Sequence, residues 1–291
     1  MIKFISYIID GISLGSVYAI IALGYTMVYG IAKMLNFAHG DIIMVGSYVI
    51  FMFITKLNIP IVFATLLGIT LCTFLGVIIE KLAYKPLRNA SSLSVLITAI
   101  GVSYFLQNAS QLLWTSSTRI FPTIIENNLL IGELSIPYLT LLTIFVCSLI
   151  MVGLLLFINK TKTGKALRAC SEDKGAASLM GINVNKTISL TFAIGSGLAA
   201  IASLLLSATY PAVNPTMGSM PGIKAFTAAV FGGIGSLPGA FLGGVLLGVI
   251  EILAKAYIST ELSDAIVFAV LIIVLLIKPV GLLGTKKRVK V

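Results

Sequence analysis

Residues able to do chemistry are few in these 291 positions, and they fall into three groups. His39 is the one histidine, standing in the run Asn36-Phe37-Ala38-His39-Gly40-Asp41. It can titrate near neutrality but cannot build a multi-histidine metal centre. Read locally, the run is a polar turn in which Asn36 or Asp41 caps a helix, with gating of a passage as the alternative. The second group is the stretch Gly232-Gly233-Ile234-Gly235-Ser236-Leu237-Pro238-Gly239. At membrane depth such a break can turn amide or carbonyl dipoles toward a zwitterion. It is not a nucleotide site: Pro238 spoils the dinucleotide pattern, and no Gly-x-x-x-x-Gly-Lys-Ser/Thr occurs. Cys72, Cys147 and Cys170 are an odd, scattered set that supports neither a disulfide framework nor a metal site. No cofactor is expected.

The third group is the segment Asn159 to Lys186. It holds eight of the thirty Lys, Arg, Asp and Glu residues, namely Lys160, Lys162, Lys165, Arg168, Glu172, Asp173, Lys174 and Lys186. Ser171 before Glu172 and Asp173 has the order of a helix N-terminus, and Gly181 supplies a left-handed stop. The spacing predicts a short helix over 172–180, too short to cross a bilayer. Ala176, Ala177, Leu179 and Met180 give it an apolar face. Such a helix suits a groove on a partner protein, or it lies on lipid headgroups.

The elements that must hold these groups are membrane spans. The chain is 58% hydrophobic and 10% charged, with a mean hydropathy of +1.08, the composition of an integral membrane protein. A helix crosses the hydrocarbon with roughly 20 residues. Cutting the apolar runs at their turn residues predicts an all-α fold of about eight spans, near 6–30, 36–55, 60–80, 92–114, 137–158, 188–210, a broken 222–256, and 262–278. Asp10, Glu80 and Glu251 fall near predicted span ends, where they would reach the interface. The four-residue spacings Gly11/Gly15, Gly239/Gly243 and Gly244/Gly248 predict close helix packing. The apolar run of the first span continues past Ile31 with no small-residue cleavage site, unlike a signal peptide.

The net charge of +10 does not point to nucleic acid, because fourteen of the twenty Lys and Arg sit in 81–88, 160–186 and 278–290. By the positive-inside rule those segments, including the C-terminal tail, are cytoplasmic. The run 187–278 must then cross an even number of times. The broken segment 222–256 therefore begins and ends on the outer side, turning at Gly232–Gly239. The segment Trp114–Pro137 is the long outer connection.

Three blocks resemble a known family. Gly164-Lys165-Ala166-Leu167-Arg168-Ala169-Cys170-Ser171-Glu172-Asp173, running on to Ala177 and Gly181-Ile182, is similar to the cytoplasmic coupling segment of branched-chain amino acid ABC importer permeases. Gly15-Ser16-Val17-Tyr18-Ala19 with Met34-Leu35-Asn36-Phe37-Ala38-His39-Gly40-Asp41 resembles the opening signature of the LivH type, and Gly222 to Ser236 its Gly-rich region. The resemblance runs from about residue 7 to residue 285. It implies a single transmembrane permease domain over 1–291 with its coupling segment at 159–186, in the inner membrane. It further implies half of a pore for leucine, isoleucine and valine, or for another small neutral solute such as other amino acids, amides or urea. The partners it implies are a second related permease, two cytoplasmic ABC ATPases and an extracytoplasmic substrate-binding protein.

By the same resemblance, Arg168, Ser171, Glu172, Asp173, Ala177 and Gly181 would meet an ATPase, and Gly175→Pro, read as mid-helix, would abolish coupled uptake. Asn36, His39, Asp41, Gly232, Gly233 and Gly235 would serve the pathway or its gate. Two rivals are weighed. A secondary transporter would carry an intramembrane acid for ion coupling, which the predicted spans lack. An intramembrane serine protease could draw on Ser196 and His39, but Ile194 replaces the glycine such enzymes carry two positions before the serine. No enzyme activity is expected.

Overall fold

The computed structural model describes residues 2–284, so Lys286, Lys287, Arg288 and Lys290 of the basic tail lie outside the described residues. Helix α1 (Ile2–Ala32) is followed by α2 (His39–Thr55) and α3 (Ile61–Ile79), which continues as a π turn (Glu80–Tyr84) and a 3-10 turn (Lys85–Leu87). Then come α4 (Ser92–Trp114), short strands β1 (Arg119–Ile120), β2 (Asn128–Ile131) and β3 (Leu134–Pro137), and α5 (Tyr138–Lys160). The chain goes on through α6 (Lys162–Glu172), α7 (Lys174–Leu179), α8 (Val184–Thr209), β4 (Ala212–Val213), α9 (Ser219–Gly232), α10 (Leu237–Tyr257) and α11 (Ser263–Ile277).

Among the described residues, six helices are long and apolar enough to span a membrane. At 17 and 15 residues, α2 and α11 fall short of roughly 20. The connection 114–137 is not all turns: β2 and β3 form an antiparallel hairpin, and β1 pairs with β4. The short apolar runs on either side of the two-residue Gly132-Glu133 turn are the hairpin signal that the reading of this stretch as turns passed over.

Cα packing divides the chain into two compact units: Met1–Thr26, Ile125–Val152 and Lys224–Val291 in the first, Met27–Ile124 and Gly153–Ile223 in the second. In the first unit α1 and α10 touch backbone to backbone. A Cβ at Gly11 would lie 2.7 Å from the Cα of Val249, and Gly248 packs on Gly15. Without cost-free burial of apolar surface to drive association in lipid, such small-residue contacts supply the packing.

The break between α9 and α10 is where the sequence places it. Gly233 and Gly235 have φ of +106° and +96°, which a Cβ would strain. Ser236 caps α10, its Oγ accepting from the Gly239 amide at 3.2 Å. The carbonyls of Phe231 and Gly232, orphaned by the break, accept from the amides of Leu282 and Leu283 at 2.9 Å.

In the second unit α2, α3 and α8 pack through small residues: Gly46 on Ser203, Gly68 on Ile50, Gly76 on Ser196. The Ser207 hydroxyl donates to Ser47 Oγ at 2.8 Å within this interface. Ser196 is thus a packing residue seated against Gly76, which answers the protease rival. Cys72, Cys147 and Cys170 are all buried with free thiols.

Candidate functional site

The charged segment 159–186 is built differently from its expected form. Thr161 caps α6, its Oγ accepting from the Gly164 amide at 2.9 Å, and the helix runs through Ser171 to Glu172. Ser171 therefore has helical geometry and bonds back to the Arg168 carbonyl at 2.7 Å, so it cannot act as the cap. Asp173 does so instead. Extended at φ −149°, it accepts on Oδ1 from the amides of Gly175 and Ala176 at 2.7 and 3.0 Å. The short helix is accordingly Lys174–Leu179, preceded by a separate amphipathic helix whose Leu167 and Cys170 are buried.

Gly181, at φ +80°, ends the turn as expected, and the Ile182 amide bonds the Ala177 carbonyl at 3.0 Å. Ala177 is buried, whereas Leu179 and Met180 are 90% and 82% exposed. Arg168 and Glu172 form an exposed i,i+4 pair at 3.8 Å, worth little by itself. Lys174 Nζ donates to the Ala32 carbonyl at 2.8 Å, tying α7 to the last turn of α1. Burial, and secondarily the charge of Arg88, lowers the pKa of this ammonium below the ordinary lysine range. The sequence-predicted coupling residues are thus contiguous on α6–α7.

Asn36, His39 and Asp41 also come together, at the start of α2, and all three are buried. Neither Asn36 nor Asp41 caps the helix by its side chain: the N-cap is Ala38, with no side-chain cap bond. Asn36 instead accepts on Oδ1 from the Tyr84 hydroxyl at 2.8 Å, while its backbone carbonyl takes the His39 amide at 3.1 Å. Asp41 Oδ1 accepts from Gln107 Nε2 of α4 at 2.8 Å. Both side chains are drawn into tertiary contacts because this part of the chain packs among other helices, where a buried polar group must find its partner on a neighbour. Asp41, Ser103, Gln107 and Ser219 line a cavity of about 350 Å³ with Phe37, Leu96, Ile100, Tyr104 and Ile223. Sequence reasoning missed Gln107, although an amide inside an apolar span is itself a signal.

Gly232, Gly233 and Gly235 lie at the helix break in the first unit, which also holds an ion cluster. Lys224 Nζ lies 2.8 Å from Glu251 Oε1 and 2.6 Å from Asp264 Oδ1. Lys255 Nζ lies 2.6 Å from the same Glu251 oxygen, and the Tyr18 hydroxyl donates to its Oε2 at 2.9 Å. Glu251 is 1% exposed, so the expectation that it reaches the interface is wrong: its charge is neutralised internally. Glu80 is also fully buried, paired with Arg88 and accepting from the Ser189 hydroxyl at 2.7 Å. The helices therefore do hold internal acids, and the argument against a secondary transporter cannot rest on their absence.

Residues 7–275 match the family described as branched-chain amino acid transport system / permease component. The chain is 46% identical to the high-affinity branched-chain amino acid transport system permease protein BraD of Pseudomonas aeruginosa, covering 99% of this chain and 98% of the relative. It is equally similar, over the same shares, to the permease protein LivH of Escherichia coli. A probable branched-chain amino acid transport permease protein LivH of Methanocaldococcus jannaschii is 30% identical over 91% of this chain and 88% of its own length. Among solved structures, a chain of PsaBC from Streptococcus pneumoniae in complex with Fab shares the fold, with a TM-score of 0.52 at 15% identity over 95% of this chain and 96% of that one.

Proposed function

The chain belongs to the branched-chain amino acid transport system permease family, and from that membership we propose that it forms half of an ATP-driven import pore for leucine, isoleucine and valine. It is a multi-pass membrane protein and a transport component, not an enzyme. In the proposed assembly it pairs with a second related permease, two cytoplasmic ABC ATPases and an extracytoplasmic substrate-binding protein, with residues 1–291 acting as one permease domain whose C-terminus is cytoplasmic.

The observation that carries the reading is the exposed apolar tip of α7. Leu179 and Met180 project from a capped helix whose own Ala177 is buried, and an exposed pair of large apolar side chains beside charge suits a groove on a soluble subunit. Asp173 and Gly181 hold the two ends of α7, and Arg168, Ser171 and Glu172 on the last turn of α6 would offer their polar groups to the same subunit. Movement of an ATPase would be felt at α1 through Lys174 and the Ala32 carbonyl. The pathway would be served by Asn36, His39 and Asp41 at one gate and by Gly232, Gly233 and Gly235 as a hinge, since the left-handed Gly233 and Gly235, next to the helix-terminal Gly232, can absorb changes in φ and ψ.

Uptake of labelled leucine into vesicles, with ATPases and binding protein supplied or withheld, tests this. Uptake is expected only with both and ATP; uptake that persists without the ATPases refutes it. Leu179→Asp with Met180→Asp should abolish coupled uptake while the permease still inserts, because neither side chain supports the fold.

A further inference from the structure

We propose that the cavity beside Asp41 is a binding station for a zwitterionic amino acid with an aliphatic side chain, Asp41 receiving its ammonium group. The inference rests on the reading of this chain as a conduit for neutral amino acids, and assigns to it a recognition site.

Asp41 is 2% exposed, and its side-chain hydrogen-bond partners in the cavity, Gln107 and Ser103, are neutral. No Lys or Arg among the described residues forms an ion pair with it. Contrast the acids of the other clusters: Glu80 meets Arg88, and Glu251 meets Lys224 and Lys255. A carboxylate removed from water without a countercharge is costly, and retention of one inside a membrane protein marks a functional position. A ligand ammonium supplies the missing charge.

The surrounding groups fit the rest of the molecule. Gln107 Nε2 has two hydrogens, yet three acceptors lie within reach: Asp41 Oδ1 at 2.8 Å, and Ser103 Oγ and Ser219 Oγ both at 3.3 Å. Those bonds use serine lone pairs, so the hydroxyl hydrogens are separate donors: the Ser103 side chain is engaged with Asp41, and the Ser219 O–H can donate to a ligand carboxylate. Phe37, Leu96, Ile100 and Ile223 offer an apolar wall for a branched side chain. The volume of about 350 Å³ lies at the small end of the roughly 300–1,000 Å³ typical of ligand pockets. Ile100, Tyr104 and Ile223 are exposed at the rim, so the cavity opens at the surface of this subunit.

The test is uptake of labelled leucine and valine by the whole transporter in vesicles, at saturating loaded binding protein. Asp41→Asn should reduce uptake of both about tenfold or more, the loss expected for one charge-assisted hydrogen bond, while the variant still co-purifies with the ATPases. Ile100→Trp, which narrows the cavity from its rim, should shift the leucine-to-valine ratio by about tenfold, the scale of a methylene discrimination. Wild-type uptake retained by Asp41→Asn, or an unchanged ratio in Ile100→Trp, overturns the site alone. Should Asp41→Asn fail to assemble, Ile100→Trp decides. A wild-type complex that moves neither amino acid overturns the functional reading, and the site falls with it.

Discussion

At Glu251 one carboxylate serves two lysines and a tyrosine hydroxyl, with Asp264 completing the charge balance around Lys224. The arrangement ties α1, α9, α10 and α11 of one unit through side chains alone. Removing the central charge leaves Lys224 with Asp264 as its sole carboxylate and the part-exposed Lys255 with none among the described residues, so the cost falls toward the low end of the roughly 3–5 kcal/mol of a broken buried pair. Glu251→Gln should therefore lower the melting temperature of the detergent-solubilised protein sharply. Replacing Lys224 and Glu251 together by methionine should restore part of the loss, because the two charges then left without these partners, Asp264 and Lys255, are part-exposed and can be solvated. Recovery absent from the double variant would show that the pair itself, and not the uncompensated ion, holds the helices. None of this was legible along the sequence. Lys224 and Glu251 are 27 positions apart, and each alone looks like a charge near a span end.

For the elements, the caps decide where mechanical tests should fall. Asp173 makes Gly175 a first-turn residue of α7, where proline is tolerated apart from the lost bond to Asp173 Oδ1. Gly175→Pro is thus a mild change, contrary to its mid-helix reading. Ala177 is the position that breaks the helix: its amide makes the i→i−4 bond to the Asp173 carbonyl at 3.1 Å, and its side chain is buried. Ala177→Pro should abolish ATP-coupled uptake and Gly175→Pro should leave most of it, measured side by side in vesicles. Equal effects would sink the role of α7 as a lever. At the other break, Ser236→Ala removes the α10 cap and should cost about 1 kcal/mol of stability, read from thermal melts.

Across the whole molecule, charge placement sets orientation. The segment with Lys160 to Lys186 should face the cytoplasm and the segment with Glu126 and Glu133 the outside. Cys72, Cys147 and Cys170 are buried, so wild-type protein provides a quiet background for a membrane-impermeant maleimide. Ser178→Cys, at an exposed site, should label only after the membrane is opened, and Glu126→Cys in intact cells. The reverse pattern would invert the topology and remove the ATPase from reach of α7. The sequence by itself determined the membrane class, the approximate positions of the long apolar helices, the break at Gly233–Gly235 and the small-residue faces. Each of these follows from local hydropathy, backbone stereochemistry or spacing along one helix. Only the tertiary structure decided that Asp173 and not Ser171 caps α7, that Glu80 and Glu251 turn inward, and that Asp41 meets Gln107 across 66 positions. The physical reason is that a polar group in lipid must find its partner on another helix, and which helix stands opposite is fixed by packing, not by sequence order.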